Sequence, residues 1–250
     1  MITIKNQQEI ESMRKGGVLL KKVMAELLPF VKPGISTKSV DKRAEVLIRG
    51  YGAEPSFQKV KGYQWATCLP INDQIVHTPP SERILKIGDL LTIDIGVYYQ
   101  SYHTDYALSY CVGEMSDKKI QIFLDTGKNA LEQAIMYIRP KNIIKQISQS
   151  IEKSIKKSGY HVIKNLTGHG IGKKLHEDPL IAGYVDGSTD QMSVIEKGMA
   201  FAIEVIYAMG TSQMKSEVGN KWSLVTADGS LAACFEKTVV VEENNAHILT

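Results

Sequence analysis

The sequence predicts an α+β fold in which two similar halves form one domain. Apolar residues recur at helical spacing in residues 10–48, and alternating apolar residues follow in residues 90–112. The same order of patterns returns after residue 117. The chain has 250 residues and 43% of them are hydrophobic, so one core can form without disulfides. We therefore treat residues 1–250 as a single domain with an internal repeat, about 10–112 and 117–242.

Two helices open the chain. Pro33-Gly34 ends the first helix, and Ser36 begins the second as its N-cap. The second helix runs into Gly50 and Gly52, since glycine is typical of a helix C-terminus. Each helix has one apolar face, formed by Ile10, Met13, Gly17, Leu20, Met24 and Leu27 in the first and by Val40, Ala44, Leu47 and Ile48 in the second.

Short extended segments follow Gly52, and the two clearest predict a β-hairpin. Residues 90–98 and 105–112 both alternate in character, which is typical of two neighbouring antiparallel strands. The alternating residues are Ile93, Ile95 and Val97 in the first strand and Tyr106, Leu108 and Tyr110 in the second.

The second half repeats this order of elements. A shift of 107 positions places Lys32-Pro33 on Arg139-Pro140, and a shift of 110 places Asp94 on Glu204. Coincidence between two ordinary runs of helices and strands is the alternative explanation. The apolar helix faces of the second half are Ile120, Phe123, Gly127, Leu131, Ala134 and Ile138, followed by Ile144, Ile147, Ile151 and Ile155.

Charge and cysteine content restrict the class of protein. A net charge of +3 is far from the dense basic face of a nucleic-acid-binding protein, so we expect no binding to DNA. Three scattered cysteines (Cys68, Cys111, Cys234) argue against a disulfide framework or a cysteine zinc site and favour a reducing compartment. The N-terminal segment lacks the apolar run of a signal peptide, and no stretch approaches a membrane span. We therefore expect a cytoplasmic protein without a membrane partner.

Four carboxylates interrupt apolar strands at matching places in the two halves. Asp94 and Asp105 lie 11 positions apart, so a turn at Tyr99-Gln100 would make them direct cross-strand neighbours, with Cβ atoms about 5 Å apart. Glu204 and Glu236 have similar places in the second half. Carboxylates that close on a half-buried sheet repel each other unless a cation lies between them. One such acid would fit an exposed strand edge, but four at matching positions predict a metal site.

Histidine supplies the remaining ligand type. His169 lies in the segment TGHGIGKKLHEDP, whose glycines let the backbone pass close to a ligand, and His77 lies in a loop before two prolines. One imidazole and four carboxylates suit a pair of Co, Mn, Fe or Zn ions. Two bridged ions about 3.5–4 Å apart can activate water, so we predict a hydrolase. We assign no site role to His103, His161 or His247.

Five motifs carry a family resemblance over the whole chain. IDIG, HTD, GHGIG with LHEDP, AIEV and FEKT occur in that order, and the chain thereby resembles the methionine aminopeptidases of the bacterial type. The opening Glu9-Ile10-Glu11-Ser12-Met13-Arg14 and the segment from IND to VH are also similar to this family. The resemblance implies the pita-bread fold, in which two pseudo-symmetric α+β halves surround a curved antiparallel sheet. Aminopeptidase P, prolidase and creatinase share this fold.

The resemblance also implies a role for each site residue. Asp94 would bind one metal ion, His169 and Glu204 the other, and Asp105 and Glu236 would bridge the two. Glu204 would also act as general base and acid for a metal-bridging water.

The same resemblance implies a substrate pocket beside the metal ions. His77 and His176 would flank the scissile amide and its tetrahedral intermediate. The polarizable side chain of an N-terminal, initiator methionine would be held by Cys68, Tyr63, Leu175 and Trp222.

Four positions depart from the family pattern. Val205 stands where the family has proline, and Lys237 where it has histidine. Gln64 replaces the proline of an aromatic-proline pair, and Thr78 replaces a glycine after His77. No metal ligand is changed, so hydrolysis is still expected. Gln64 and Thr78 are expected to touch the substrate pocket.

Two alternatives to an initiator methionine aminopeptidase remain at this point. An Xaa-Pro aminopeptidase or prolidase has the same five ligands but usually carries an added N-terminal domain. A non-catalytic pita-bread binding protein would typically have lost ligands. The partners we expect are the N-termini of peptides and nascent proteins. We also expect the protein to be a monomer. A transient contact with ribosomal RNA competes with a solvated helix face as the explanation of Lys141, Lys145, Lys153, Lys156 and Lys157.

Overall fold

A computed structural model describes residues 2–114 and 117–250 of the chain. These residues form three short 3₁₀ segments and four α-helices, α1 (Gln7–Leu27), α2 (Thr37–Gly50), α3 (Lys118–Ile135) and α4 (Ile144–Lys157). The strands are β1 (Glu54–Pro55), β2 (Thr67–Cys68), β3 (Gln74–Val76), β4 (Leu90–Tyr99), β5 (Tyr102–Cys111), β6 (His161–Val162), β7 (Thr167–Gly170), β8 (Glu177–Ala182), β9 (Ala200–Ala208), β10 (Met214–Ser216), β11 (Leu224–Thr226), β12 (Ala232–Val241) and β13 (Ala246–Ile248).

A ten-stranded antiparallel sheet runs through both halves of the chain. Its strand order is β1-β4-β5-β12-β9-β7-β8, with β2 on β4, β6 on β9 and β13 on β12. A smaller sheet has the order β10-β11-β3. The central strands β5 and β12 come from different halves and pair with each other. Because this pairing joins the two halves in one sheet, we propose that the chain is a single domain.

The helices cover one face of the large sheet in two groups. Ile93, Ile95 and Val97 of β4 pack in one cluster with α1 and α2. Phe201 and Ile203 of β9 pack in another cluster with α3 and α4. Because successive strand residues point to opposite faces, the acids between these residues face away from the helices.

The predicted helices are confirmed, but two of them are shorter than expected, and α1 ends at Leu27 rather than at Pro33-Gly34. The Ser36 hydroxyl accepts a hydrogen bond from the Ser39 amide at 3.2 Å, as expected of an N-cap. The predicted face of α3 included Ile138, but α3 ends at Ile135. Ile138 is nevertheless fully buried, so its apolar character reflects the core rather than the helix.

The turn of the predicted hairpin lies one position later than expected. Gln100 and Ser101 have φ values of 49° and 70°, which suits a two-residue hairpin turn whose twist matches the strands. Asp94 therefore lies opposite Ala107, and Asp105 opposite Gly96. The prediction that the two aspartates are direct neighbours is wrong, and they are diagonal neighbours on the same face.

The cysteines agree with the expectation of free thiols. Cys68, Cys111 and Cys234 are all buried and form no disulfide. In the part of the chain that the structure describes, none of the helices combines the length and apolar character needed to cross a membrane.

We expect Gly127→Ala to destabilise the protein by about 1–3 kcal/mol, the usual range for an overpacked core. A Cβ at Gly127 of α3 would lie 2.5 Å from the ring of Tyr207 and 2.7 Å from Phe235, and both rings are buried. The matched control is Gly50→Ala in α2, where the added methyl group meets no atom within 4 Å. Urea denaturation measures both variants, and equal stability of Gly127→Ala and the unchanged protein would contradict the packing argument.

Candidate metal centre

Two rows of side chains cross the large sheet on the face opposite the helices. In the first row the register pairs Asp94 with Ala107, Ala107 with Glu236, and Glu236 with Glu204. The second row lies two residues further along each strand, with Asp105 on β5 and His169 opposite Ala202 of β9. Two-residue steps along a strand keep a side chain on the same face. The fold therefore brings the five predicted metal ligands to one place.

Small residues between the ligands leave room for an ion. Ala107 separates Asp94 from Glu236, and Ala202 lies opposite His169. Gly96 lies opposite Asp105. None of these three positions has a side chain longer than a methyl group, so the space above the sheet belongs to the carboxylates and the imidazole.

The ligand atoms converge. One ligand atom from each of Asp105, His169 and Glu236 lies within 4.8 Å of the other two. All three residues are buried. His169 Nε2 also lies 3.5 Å from Glu204 Oε1.

His169 is held as a neutral ligand with a defined orientation. Its Nδ1 hydrogen bonds to the carbonyl oxygen of Gly170 at 2.8 Å, which requires the proton on Nδ1 and leaves the lone pair on Nε2. Burial, and then the charge of His176, lower the pKa of His169 to about 3. The flanking positions have no space for a side chain and therefore require glycine. A Cβ at Gly168 would lie 2.5 Å from the Ala202 oxygen, and one at Gly170 would overlap the Asp178 oxygen.

The carboxylates are protonated more readily than usual. Burial and the charges of the neighbouring acids raise the pKa values of Asp94, Glu204 and Glu236 well above their ordinary range. Burial raises the pKa of Asp105 to about 7. Among the described residues, Glu236 Oε1 has no hydrogen-bond partner although it is buried. A cation would offset the repulsion and pair with this oxygen, so the residues fit divalent metal ions.

A cavity of about 150 Å³ opens onto the five ligands. It is lined by all eleven residues that the sequence predicted for the site. Three apolar residues of the wall were not predicted, Phe57, Val60 and Val76. They come from a short 3₁₀ segment (Phe57–Lys59), its C-cap and a three-residue strand, none of which has the periodicity that identifies a site or a core face in sequence.

Aromatic edge contacts build the apolar wall. The Tyr63 ring lies 5.2 Å from that of Trp222 and 5.1 Å from that of Trp65, both in edge orientation. The Tyr63 hydroxyl donates to the Thr67 oxygen at 2.8 Å and lies 3.1 Å from Cys68 Sγ. Cys68 lies opposite Asp94 in the sheet register, and its thiol partly offsets the raised pKa of that carboxyl. The apolar wall therefore adjoins Asp94, one of the candidate metal ligands.

The loop that carries this wall is anchored from α2. A single oxygen of buried Asp41 accepts hydrogen bonds from the amides of Ala66 and Thr67 at 2.9 Å and from the Thr67 hydroxyl at 2.8 Å. Burial raises the pKa of Asp41 despite these bonds. The anchor fixes the backbone immediately before Cys68.

Two histidines stand at the mouth of the cavity. His77 and His176 are reached by solvent, yet the surrounding walls exclude much of the water, and this desolvation lowers both pKa values. The charge of His176 lowers the pKa of His77 further. The His176 ring lies 4.5 Å from the His169 ring. Both side chains are therefore neutral near pH 7 and can donate a hydrogen bond from one ring nitrogen.

The remaining histidines lie outside the cavity. His103 pairs with the buried Ser56 hydroxyl at 2.6 Å, and burial lowers its pKa to about 4. His247 contacts Arg14, and His161 is exposed.

The four departures from the family pattern avoid direct contact with the cavity. Val205 is fully buried on the helix side of the sheet. Lys237 points to the same side, where its Nζ lies 3.7 Å from the centroid of the Tyr106 ring. Burial, and then Lys21 and Lys128, lower its pKa to about 8.

Gln64 and Thr78 do not line the cavity, contrary to the expectation from the sequence. Gln64 is exposed. The Thr78 hydroxyl is 2.7 Å from that of Ser223, beside Trp222, so Thr78 adjoins cavity residues without lining the cavity itself.

Comparisons with known proteins agree with this geometry. The family model described as metallopeptidase family M24 matches residues 11–243. The chain is 37% identical to a methionine aminopeptidase of Clostridium acetobutylicum, over 100% of this chain and 99% of that protein. It is 36% identical to methionine aminopeptidase 1 of Bacillus subtilis, with the same coverage.

Solved structures show the same fold. A methionine aminopeptidase from Thermotoga maritima matches with a TM-score of 0.95 at 34% identity, over 100% of this chain and 99% of that one. A prolidase from Pyrococcus furiosus matches with a TM-score of 0.80 at 24% identity, over 99% of this chain and 65% of that one. The predicted pita-bread fold is confirmed.

We expect the affinity for Mn²⁺ to rise as pH increases through about 7, with release of protons on binding. The metal-free carboxyls hold protons that an ion must displace, and the pKa of Asp105 is about 7, whereas neutral His169 has no proton to lose from Nε2. Calorimetry at about pH 6 and about pH 8, in two buffers of different ionisation enthalpy, measures both quantities. The exposed-carboxylate variant Glu82→Gln is the control and should behave like the unchanged protein. Equal affinity at both pH values would contradict the expectation.

Proposed function

The chain belongs to metallopeptidase family M24, and on this premise we propose that it is a metal-dependent aminopeptidase that removes the N-terminal methionine from peptides and nascent proteins. The observation that carries the proposal is that four carboxylates and one imidazole line the same small cavity as a group of apolar side chains. Relatives named methionine aminopeptidase match along their full length, which supports the same activity here.

The cavity suits a single side chain next to the metal ligands. Its wall combines a thiol, an aliphatic side chain and two aromatic rings, at Cys68, Leu175, Tyr63 and Trp222. A methionine thioether packs well against such groups because sulfur is polarizable and favours ring edges. The free α-amine of the same residue would reach the carboxylates, so only the first residue would be removed.

We propose that the site holds two divalent ions, of Co, Mn, Fe or Zn. Asp94 would hold one ion, His169 and Glu204 the other, and Asp105 and Glu236 both. When bound, such ions polarise the carbonyl group and lower the pKa of water. Cys68 and the Gly170 carbonyl would orient the ligands Asp94 and His169 from behind.

Glu204 is the candidate general base. It is half-buried, and one of its oxygens faces His169 Nε2 at 3.5 Å, which leaves the other oxygen for a proton. Burial and the charge of Asp105 raise its pKa, as is typical of a carboxylate that takes and returns a proton near neutral pH. His77 and His176 would donate hydrogen bonds to the carbonyl oxygen of the scissile amide, where negative charge develops.

Two rival functions have less support. An Xaa-Pro peptidase could use the same five ligands, but the Pyrococcus furiosus prolidase extends well beyond the aligned region, whereas the methionine aminopeptidases do not. A non-catalytic binding protein would not need Glu204, His77 and His176 around one cavity with all the ligands present.

We extend the proposal to location and partners. Nascent proteins are made in the cytoplasm, and three free buried cysteines suit that reducing compartment. We propose that the protein acts as a monomer. On α4, Lys153, Lys156 and Lys157 are exposed, while Ile147, Ile151 and Ile155 are buried, so the lysines fit a solvated face. A transient contact of this face with ribosomal RNA is the alternative.

We expect the metal-loaded protein to cleave a Met-Ala-Ser peptide and to leave an Ala-Pro peptide largely uncut. The reason is the fit of the apolar wall to a methionine side chain. Activity should disappear after treatment with a chelator and return with Mn²⁺ or Co²⁺. Faster cleavage of the Ala-Pro peptide would assign the chain to the rival peptidases, and full activity without metal would refute the metal-dependent reaction.

We expect Glu204→Gln and Asp94→Asn to fail for different reasons. Glu204→Gln retains one oxygen for an ion but loses the base, so turnover should fall by about 10²–10⁴-fold while metal binding partly survives. Asp94→Asn should act through weaker occupancy of one ion, so that excess metal recovers part of the rate. A metal titration of both variants, with rate and bound metal measured together, separates the two. If excess metal restored the rate of Glu204→Gln but not that of Asp94→Asn, the assignment of the general base to Glu204 would be wrong.

A further inference from the structure

The pairing between the two central strands of the sheet is unusually short. On one edge, β12 pairs with β9 through nine consecutive residue pairs, from Ala232 to Val240. On its other edge, β12 pairs with β5 through only two, Glu236 with Ala107 and Lys237 with Tyr106. The pairing stops where Thr238 would meet Asp105, which is one of the metal ligands.

A different strand occupies the same edge beyond this point. Residues 239–241 of β12 pair with β13, and the Leu249 amide donates to the Thr238 oxygen at 2.9 Å. Since β9 fills the opposite edge, β13 must lie on the edge that β5 leaves. The pairing of β12 with β5 is therefore followed, along the same edge and beside Asp105, by its pairing with β13.

Two threonine hydroxyls close the junction. Thr238 Oγ1 accepts from the Asp105 amide at 2.7 Å and donates to the Asp105 carbonyl at 2.9 Å. Thr250 Oγ1 accepts from the Thr238 amide at 2.9 Å and donates to the same Asp105 carbonyl at 3.1 Å. Both threonines are buried, with 0% and 2% exposure. Side chains thus satisfy the backbone groups that a regular ladder would have paired.

Close packing from α1 holds the second threonine in place. A Cβ at Gly17 would lie 2.5 Å from the Leu249 carbonyl oxygen, so the helix backbone lies directly against the residue before Thr250. Leu249 is also fixed to Thr238 through its amide. The Thr250 hydroxyl therefore has little freedom to move away from Asp105.

We propose that Thr250, together with Thr238, is a positioning residue for the metal ligand Asp105. The two hydroxyls set the separation of β5 and β12 at the row where the Asp105 carboxylate must meet those of Glu236 and its neighbours. This inference rests on the proposed function, in which Asp105 and Glu236 hold the same ions. Loss of either hydroxyl leaves a buried amide or carbonyl unpaired and lets the two strands shift against each other.

The test compares Thr250→Val, which keeps the shape but loses the hydroxyl, with Thr250→Ser, which keeps the hydroxyl. Binding of Mn²⁺ to the full, chelator-treated chain is measured by calorimetry. We expect Thr250→Val to bind about 10-fold more weakly or worse, as for other groups that orient metal ligands, and Thr250→Ser to bind like the unchanged protein. Excess Mn²⁺ should restore the turnover of Thr250→Val with an unchanged KM for the peptide.

The matched control is Thr226→Val. Thr226 is another buried threonine, and its hydroxyl donates to a backbone carbonyl, that of Ser230, at 2.8 Å. Its loss should lower thermal stability without changing the affinity for Mn²⁺. An equal loss of affinity in Thr226→Val and Thr250→Val would overturn the positioning role.

The variant Asp105→Asn distinguishes a failure of the proposed function from a failure of the positioning role. Unchanged Mn²⁺ affinity in Asp105→Asn would refute the proposed function itself. Weakened binding in Asp105→Asn with wild-type binding in Thr250→Val would refute only the positioning role. If Thr250→Val does not fold, Thr250→Ala is compared with Thr250→Ser in the same way, and equal affinity of these two overturns the inference.

Discussion

The mutual repulsion of four carboxylates on one face of a sheet is the constraint on which the rest of this structure depends. Asp94, Asp105, Glu204 and Glu236 lie on neighbouring strands, and burial removes the water that would screen their charges. Without a cation they hold protons, as their raised pKa values indicate. Folding of the chain and binding of metal are therefore linked, because the fold supplies the repulsion that the ions relieve.

The sheet can hold these carboxylates close together because its two faces differ in composition. On the helix side, the residues between the acids are large and apolar, and they pack against α1 and α2 or against α3 and α4. On the other side, Gly96, Ala107 and Ala202 leave space for ions. The separation explains why Val205 and Lys237 can differ from the family pattern beside two ligands, since both point to the helix side.

The proposed metal ligands are held by residues outside the ligand set. The Gly170 carbonyl fixes the tautomer of His169, Cys68 lies opposite Asp94 in the sheet, and threonine hydroxyls hold the backbone of Asp105. Cys68 also belongs to the apolar wall, so the substrate side chain and the metal ligand of the proposed function would share a neighbour. A change in one of these supporting residues would alter the proposed metal centre without removing a ligand.

The sequence by itself determined the helices and the strand character and predicted the candidate ligands, because these depend on local periodicity and on polar residues that an apolar strand would not otherwise contain. It misplaced the turn between β4 and β5, since Gln100 and Ser101 adopt left-handed conformations without the glycine or asparagine that usually marks them. Only the tertiary structure decided which acids are opposite and which are diagonal, and which wall residues close the cavity. Only the tertiary structure brought Thr250 to Asp105, 145 positions away, because strand register and the contacts beside it follow from how distant segments pack.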